Sequence, residues 1–106
     1  ITGLETELAL SLMQLYHAKH LSLADLITKF TVNPARLLKL AKGTLTVGAD
    51  ADVTVFDPER EWVYHAKDSA SKSLNNPFFG WTLKGRALAT IVAGKAVWVE
   101  PTLAPL

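Results

Sequence analysis

Leu88-Ala89-Thr90-Ile91-Val92-Ala93-Gly94-Lys95-Ala96-Val97-Trp98-Val99 decides how the chain folds. Residues 88–92 are apolar on both faces, as in a buried strand. Ala93-Gly94-Lys95 supplies a turn, and residues 96–99 return as a second strand. Further upstream, Asp52-Val53-Thr54-Val55-Phe56 reads as a strand closed by Asp57-Pro58, and Glu61-Trp62-Val63-Tyr64 as a short partner. Gly43 to Gly48 reads as a turn-bounded loop or short strand. Between Tyr64 and Trp81, a run of Ser, Asn, Pro and Gly predicts a long ordered loop. Pro101 and Pro105 mark a tail.

Before residue 43 the period is helical. Leu4, Leu8, Leu12, Leu15 and Tyr16 recur on one face, predicting a helix from about Leu4 to Lys19. Thr2 and Glu5 have the spacing of a capping box. Glu5 and Glu7 at one end, with His17, Lys19 and His20 at the other, suit the helix dipole. Ser22 with Asp25 starts a second helix over 23–30, burying Leu23, Leu26, Ile27 and Phe30. A third short helix is expected to be capped by Asn33, to hold Pro34 in its first turn, to pack Leu37, Leu38 and Leu40 inward, and to stop at Gly43. Three helices followed by about four strands make an α+β segment whose missing edges must be filled by other chain or by a second copy.

Composition narrows the function. The chain has 106 residues, 49% hydrophobic and 20% charged, the balance of a globular domain with little margin for its core. Eleven basic residues against ten acidic ones give a net charge of +1, with no basic cluster to favour nucleic acid or a membrane surface. There is no cysteine, which removes disulfides and thiolate chemistry and agrees with a reducing compartment. No apolar run reaches membrane-spanning length. The first residues carry neither an initiator Met nor a signal pattern, so the chain is expected to begin inside a longer protein.

Few residues invite catalysis. His17 and His20 lie three apart near a helix end, but a metal site needs at least a third ligand, and two solvated imidazoles at the negative helix end are the favoured reading. His65 follows a strand and is expected at the surface. Asp50 and Asp52 sit in a turn entering a strand, where Asp bonds local backbone. Glu5 and Glu7 are two apart on a helix and point in different directions. Lys42-Gly43-Thr44 lacks the upstream glycine of a phosphate loop. Trp62, Trp81 and Trp98 with Phe78 and Phe79 suit core packing better than base stacking, because no positive charge is interleaved.

Five segments, in order, resemble one family. Ile1-Thr2-Gly3-Leu4-Glu5-Thr6 is similar to the GLET segment of bacterial-type (class I) dihydroorotases, and Asn33-Pro34-Ala35-Arg36 to their NPA segment. Gly43-Thr44-Leu45 through Asp52 resembles the start of the small β domain shared across the amidohydrolase superfamily. Ser71 to Gly80 resembles a dihydroorotase loop, and Gly85 with Thr90 to Lys95 the final hairpin. The resemblance implies a C-terminal piece of a metal-dependent hydrolase. Residues 1–42 would be the last helices of a (β/α)8 barrel, 43–100 the C-terminal strands of a small β-sandwich, and 101–106 a tail.

The same resemblance implies reversible cyclisation of N-carbamoyl-L-aspartate to L-dihydroorotate, in pyrimidine biosynthesis in the cytoplasm, at zinc in the parent enzyme. The metal ligands and catalytic Asp would lie upstream. No catalytic, substrate-binding or metal residue is therefore assigned among the 106, no metal is expected in them, and no activity is expected of them alone. The family's substrate-contacting backbone lies just before the GLET segment, nearest to Ile1, Thr2 and Gly3. The 76–80 loop is expected to pack the β domain on the barrel. Expected partners are the rest of the dihydroorotase chain, a second copy, or aspartate transcarbamoylase. The alternatives are a non-catalytic relative serving as a structural partner of that transcarbamoylase, a related allantoinase or hydantoinase, and a self-contained binding module.

Overall fold

The computed structural model describes residues 1–103. Three helical segments precede a three-stranded antiparallel sheet in the order β1-β2-β3, so the α+β expectation holds. β1 is Val53–Val63, β2 is Thr82–Val92 and β3 is Lys95–Val99. The fourth strand disappears because residues 53–56 and 61–63 belong to one strand. Asp57-Pro58 does not close it. The chain bulges there, Asp57 pairing with Arg86 and Glu61 with Lys84. A bulge tolerates the N–H that proline lacks. Residues 43–48 form no strand, and of the tail only 101–103 are described, with Pro105 outside them.

The hairpin signal is the most faithful. Val92 pairs with Lys95 across the two-residue loop Ala93-Gly94, whose φ angles of 50° and 79° match the twist of the flanking strands. Asp52 fastens the loop: its Oδ1 accepts from Ala93 N at 2.9 Å, while Gly94 N donates to Ala51 O at 3.0 Å.

The first helix differs from its expectation. α1 is Glu7–Ser11, and the chain then widens into a π segment, Leu12–His17. Its N-cap is Thr6, and the Thr2–Glu5 box does not form because the Glu5 carboxylate bonds the 69–70 loop instead. Leu4 is left exposed. α2 is Leu23–Phe30, and Ser22 accepts from Asp25 N at 3.1 Å, as its sequence predicts. α3 is Val32–Leu37 with Thr31, not Asn33, at the N-cap. Leu37, Leu38 and Leu40 point outward; the helix buries Ala35 instead.

Two helix ends use lysine where glycine is usual. Lys19 (φ 63°) and Lys39 (φ 55°) take the left-handed conformation. His20 N reaches back to Leu15 O at 2.9 Å, and Leu40 N to Ala35 O at 2.8 Å, each closing a Schellman-type end. The third helix therefore ends before Gly43, which lies against the Thr31 backbone.

The core sits where α1 and the π segment cross β2. Ala9, Tyr64 and Leu83 form its centre, with Leu10, Met13, Trp62, Phe78 and Phe79 packed around them. Gly85 makes the crossing close. A Cβ there would lie 2.4 Å from Leu12 Cδ1, and its φ is 104°. Opposite Gly85 the β1 bulge leaves the ladder open, and Gly85 O accepts the Trp62 indole N–H at 2.8 Å.

Candidate functional site

Bonds from the chain before α1 and from the end of the π segment tie the helical part to the loop and strands. At its start, Thr2 N donates to Asn75 O at 3.0 Å, and Asn76 Nδ2 donates to Thr2 O at 3.0 Å and to Thr2 Oγ1 at 3.1 Å. One turn on, Glu5 accepts from Ser69 Oγ at 2.6 Å, Ala70 N at 3.2 Å and the Tyr64 hydroxyl at 3.2 Å. Burial pushes the Glu5 carboxyl up, but donors from Ser69, Ala70, Tyr64 and Ser71 together hold it below its ordinary value. At the far end, His17 Nε2 donates to Pro58 O at 2.7 Å, and Nδ1 lies 4.0 Å from Glu59. Lys84 closes on Glu59 at 3.0 Å.

His17 is therefore not the solvated imidazole expected. It is about one-fifth exposed and joins the end of the π segment to the β1 bulge. His20 and His65 are exposed and take no part. Among the described residues, no three His, Asp or Glu side chains gather into a metal-ligand set.

The Asp pair does not bond local backbone as its turn context suggests; both carboxylates meet Lys42, and Asp52 also accepts from the distant Ala93 N. Lys42 Nζ bonds Asp50 at 2.7 Å and Asp52 at 2.5 Å. The hydrogen bonds from Lys42 and from Ala93 N hold Asp52 below the ordinary carboxylate value, and the pair raises Lys42. With its ammonium engaged this way, Lys42 is no phosphate-loop lysine.

Sequence reasoning missed Glu100. It is 2% exposed and accepts from Arg60 at 3.3 Å, from Thr102 N at 3.1 Å and from the Thr102 hydroxyl, with Arg86 at 3.5 Å. The Thr102 hydroxyl bond, against burial, lowers its pKa, helped by Thr102 N, Arg60 and Arg86. The sequence does carry a weak signal, an acid directly before the tail proline with arginines alternating on two strands. Arg86 also lies over the Trp62 ring, 4.8 Å from its centroid.

Trp62, Phe78 and Phe79 pack on the core as expected, while Trp81 and Trp98 are exposed. Phe78 meets Trp81 edge-on at 4.9 Å, and Tyr64 meets Phe79 at 4.9 Å. Open hollows remain beside these contacts among the described residues. One, about 340 Å³, is lined by Leu8, Glu5, Trp62, Tyr64, Arg86 and Trp98. Another, about 770 Å³, lies between the helices and β1 and is mostly apolar, with Ile27, Phe30, Leu38 and Phe56 on its walls. Glu5, Asp52 and Glu100 all have their oxygens bonded to donors, and Asp50 is held by Lys42.

Helical segments laid on a small antiparallel sheet make an α+β unit. The chain belongs to the amidohydrolase family, whose sequence model matches residues 2–97. It is 50% identical to a dihydroorotase of Syntrophus aciditrophicus (strain SB) over 100 residues, covering 94% of this chain and 23% of that protein. Identity to a Geobacter sp. (strain M21) dihydroorotase is 50% over 98 residues, covering 92% and 23%. With the Aquifex aeolicus (strain VF5) dihydroorotase it is 45% over 100 residues, covering 94% and 24%. The chain thus spans about a quarter of the length of the curated relatives it matches. Among solved structures, an L-hydantoinase (dihydropyrimidinase) from Arthrobacter aurescens superposes with a TM-score of 0.84 at 31% identity, covering 97% of this chain and 23% of that one. A D-hydantoinase superposes with a TM-score of 0.74 at 26% identity, covering 84% and 20%.

Proposed function

We propose that these residues are the C-terminal part of a dihydroorotase. The observation that carries the reading is identity of 45–50% to three dihydroorotases across more than nine-tenths of the chain. On this reading residues 1–42 are the last helices of the hydrolase barrel and 43–100 the C-terminal share of the small β domain. The full protein closes N-carbamoyl-L-aspartate to L-dihydroorotate in the cytoplasmic synthesis of pyrimidines. Its partners are the rest of its own chain, a second copy and aspartate transcarbamoylase. Zinc, bound upstream, would activate water and polarise the amide carbonyl. The present residues supply none of its ligands. Their work is mechanical: they brace the helix that follows the substrate-side backbone against the β domain.

The test uses the full-length chain that contains residues 1–106. Purified with zinc, it should interconvert carbamoyl-aspartate and dihydroorotate, and the 106-residue polypeptide alone should not. A second reading, as a hydantoinase, is favoured by the TM-score of 0.84. Turnover of hydantoins with none of dihydroorotate would select it and overturn the first.

A further inference from the structure

Asn76 lies 74 positions from Thr2 and spends its whole side-chain amide on fixing one conformation. Its Oδ1 accepts from Phe78 N at 2.8 Å, closing the loop on itself. Its Nδ2 faces two acceptors, Thr2 O at 3.0 Å and Thr2 Oγ1 at 3.1 Å. The donor on one side and the acceptors on the other leave a single orientation for the amide. The Thr2 N–H returns to Asn75 O at 3.0 Å, so both backbone polar groups of Thr2 are bound by the same two loop residues. The loop is itself anchored. Phe78 and Phe79 pack on the Ala9–Tyr64–Leu83 core. Glu5 ties the next turn to Ser69 and Ala70. Residues 2–5 are thus held between two clamps, and Asn76 is the outer one, nearest the upstream chain.

We propose that Asn76 is a positioning residue: its amide sets the path of the backbone at Ile1–Gly3, and through it the register of the chain immediately upstream. The effect on catalysis rests on the dihydroorotase reading, in which that upstream backbone contacts substrate. A displacement of about 1 Å at such a point costs about a hundredfold in rate.

The test separates the two claims. In the full-length chain, Asn76→Asp keeps the acceptor for Phe78 N but replaces the donor to Thr2 with a carboxylate oxygen. Amide exchange across residues 2–6 should quicken by about tenfold or more, with the melting temperature moved by only a few degrees. The kcat/KM for dihydroorotate should fall by about tenfold or more, chiefly through KM. Ser73→Ala, which loosens the same loop at its 3.2 Å bond to Asn75 N, should stay within about twofold in kcat/KM. If Asn76→Asp does not fold, Thr2→Val removes one acceptor and should show the same pattern at about threefold. Unchanged exchange at residues 2–6 overturns the clamp. Quickened exchange with kcat/KM unchanged overturns its link to catalysis. Failure of the wild type to act on dihydroorotate instead overturns the parent reading, and exchange alone then decides for or against Asn76.

Discussion

At the scale of single residues, the close crossing at Gly85 is the most sensitive point. Gly85→Ala places a methyl 2.4 Å from Leu12 Cδ1 at a φ of 104°. Leu12 is fully buried and cannot swing clear. The expected loss is about 3 kcal/mol, read as a fall in the denaturant midpoint of the full-length chain. Glu100 gives a prediction in pH. Its folded pKa is depressed below 4.5. Its ionised form therefore adds stability above the ordinary carboxylate range, and that contribution fades as pH falls through the folded value. Glu100→Gln should be the less stable protein at pH 7, and the two stability curves should converge as the pH falls through the depressed folded value. Parallel curves would show that the charge of Glu100 is irrelevant. Asp50 and the Lys42 side of Asp52 have partners eight to ten positions away, but the bond from Ala93 N to Asp52 spans 41 positions and has no local signal. Glu100 and His17 were no more legible, because their partners lie 40 and 41 positions away, and nothing local announces such pairing.

At the scale of elements, the signals that survived are those made by adjacent residues. Ser22 caps α2 and Ala93-Gly94 turns the hairpin, each by local chemistry. Ser22→Ala should cost about 1 kcal/mol. The signals that failed depended on where a helix lies against its neighbours. Leu37, Leu38 and Leu40 have helical spacing, but all three stay exposed, Leu38 and Leu40 on the walls of an open hollow that nothing in the described chain fills. The third helix stops at Lys39 because a Schellman-type end can close on a lysine when two backbone bonds compensate the strain. Relieving that strain should stabilise the protein. Lys39→Gly is expected to raise stability by about 0.5 kcal/mol or slightly more, and a lower melting temperature would contradict the assignment. The Asp57-Pro58 stop was misread for a related reason. Proline and aspartate mark an interruption of the ladder, but a bulge and a strand end look alike in one dimension.

At the scale of the whole molecule, the helix–sheet unit leaves much apolar surface bare. Leu4, Leu37, Leu38, Leu40, Leu45 and Val47 are all more than half exposed. Together with the 770 Å³ hollow, they make the isolated 106-residue polypeptide prone to self-association. Light scattering should show species larger than a monomer, and Leu38→Lys with Leu40→Lys should shrink them. Family membership was legible because short motifs keep their order along the chain. The clamps that brace the fold were not: Thr2, Glu5 and Asn76 lie within those motifs, but nothing along the chain pairs them across 64 to 74 positions. Among the described residues no helix is long and apolar enough to cross a membrane.

The bond between Val47 and Gly48 lies in an exposed turn closed by Ala49 N to Thr46 O at 3.1 Å and, at its base, by Lys42 on Asp50, with open space around Gly48. On either side, the helical layer and the sheet are joined by Thr2–Asn76, Glu5–Ser69, Leu12–Gly85 and His17–Pro58, none of which passes through that turn. A protease that nicks there would sever the peptide without separating the pieces. The two halves should co-elute after cleavage, and expressed as separate polypeptides alongside the upstream chain they should find one another and reconstitute the whole.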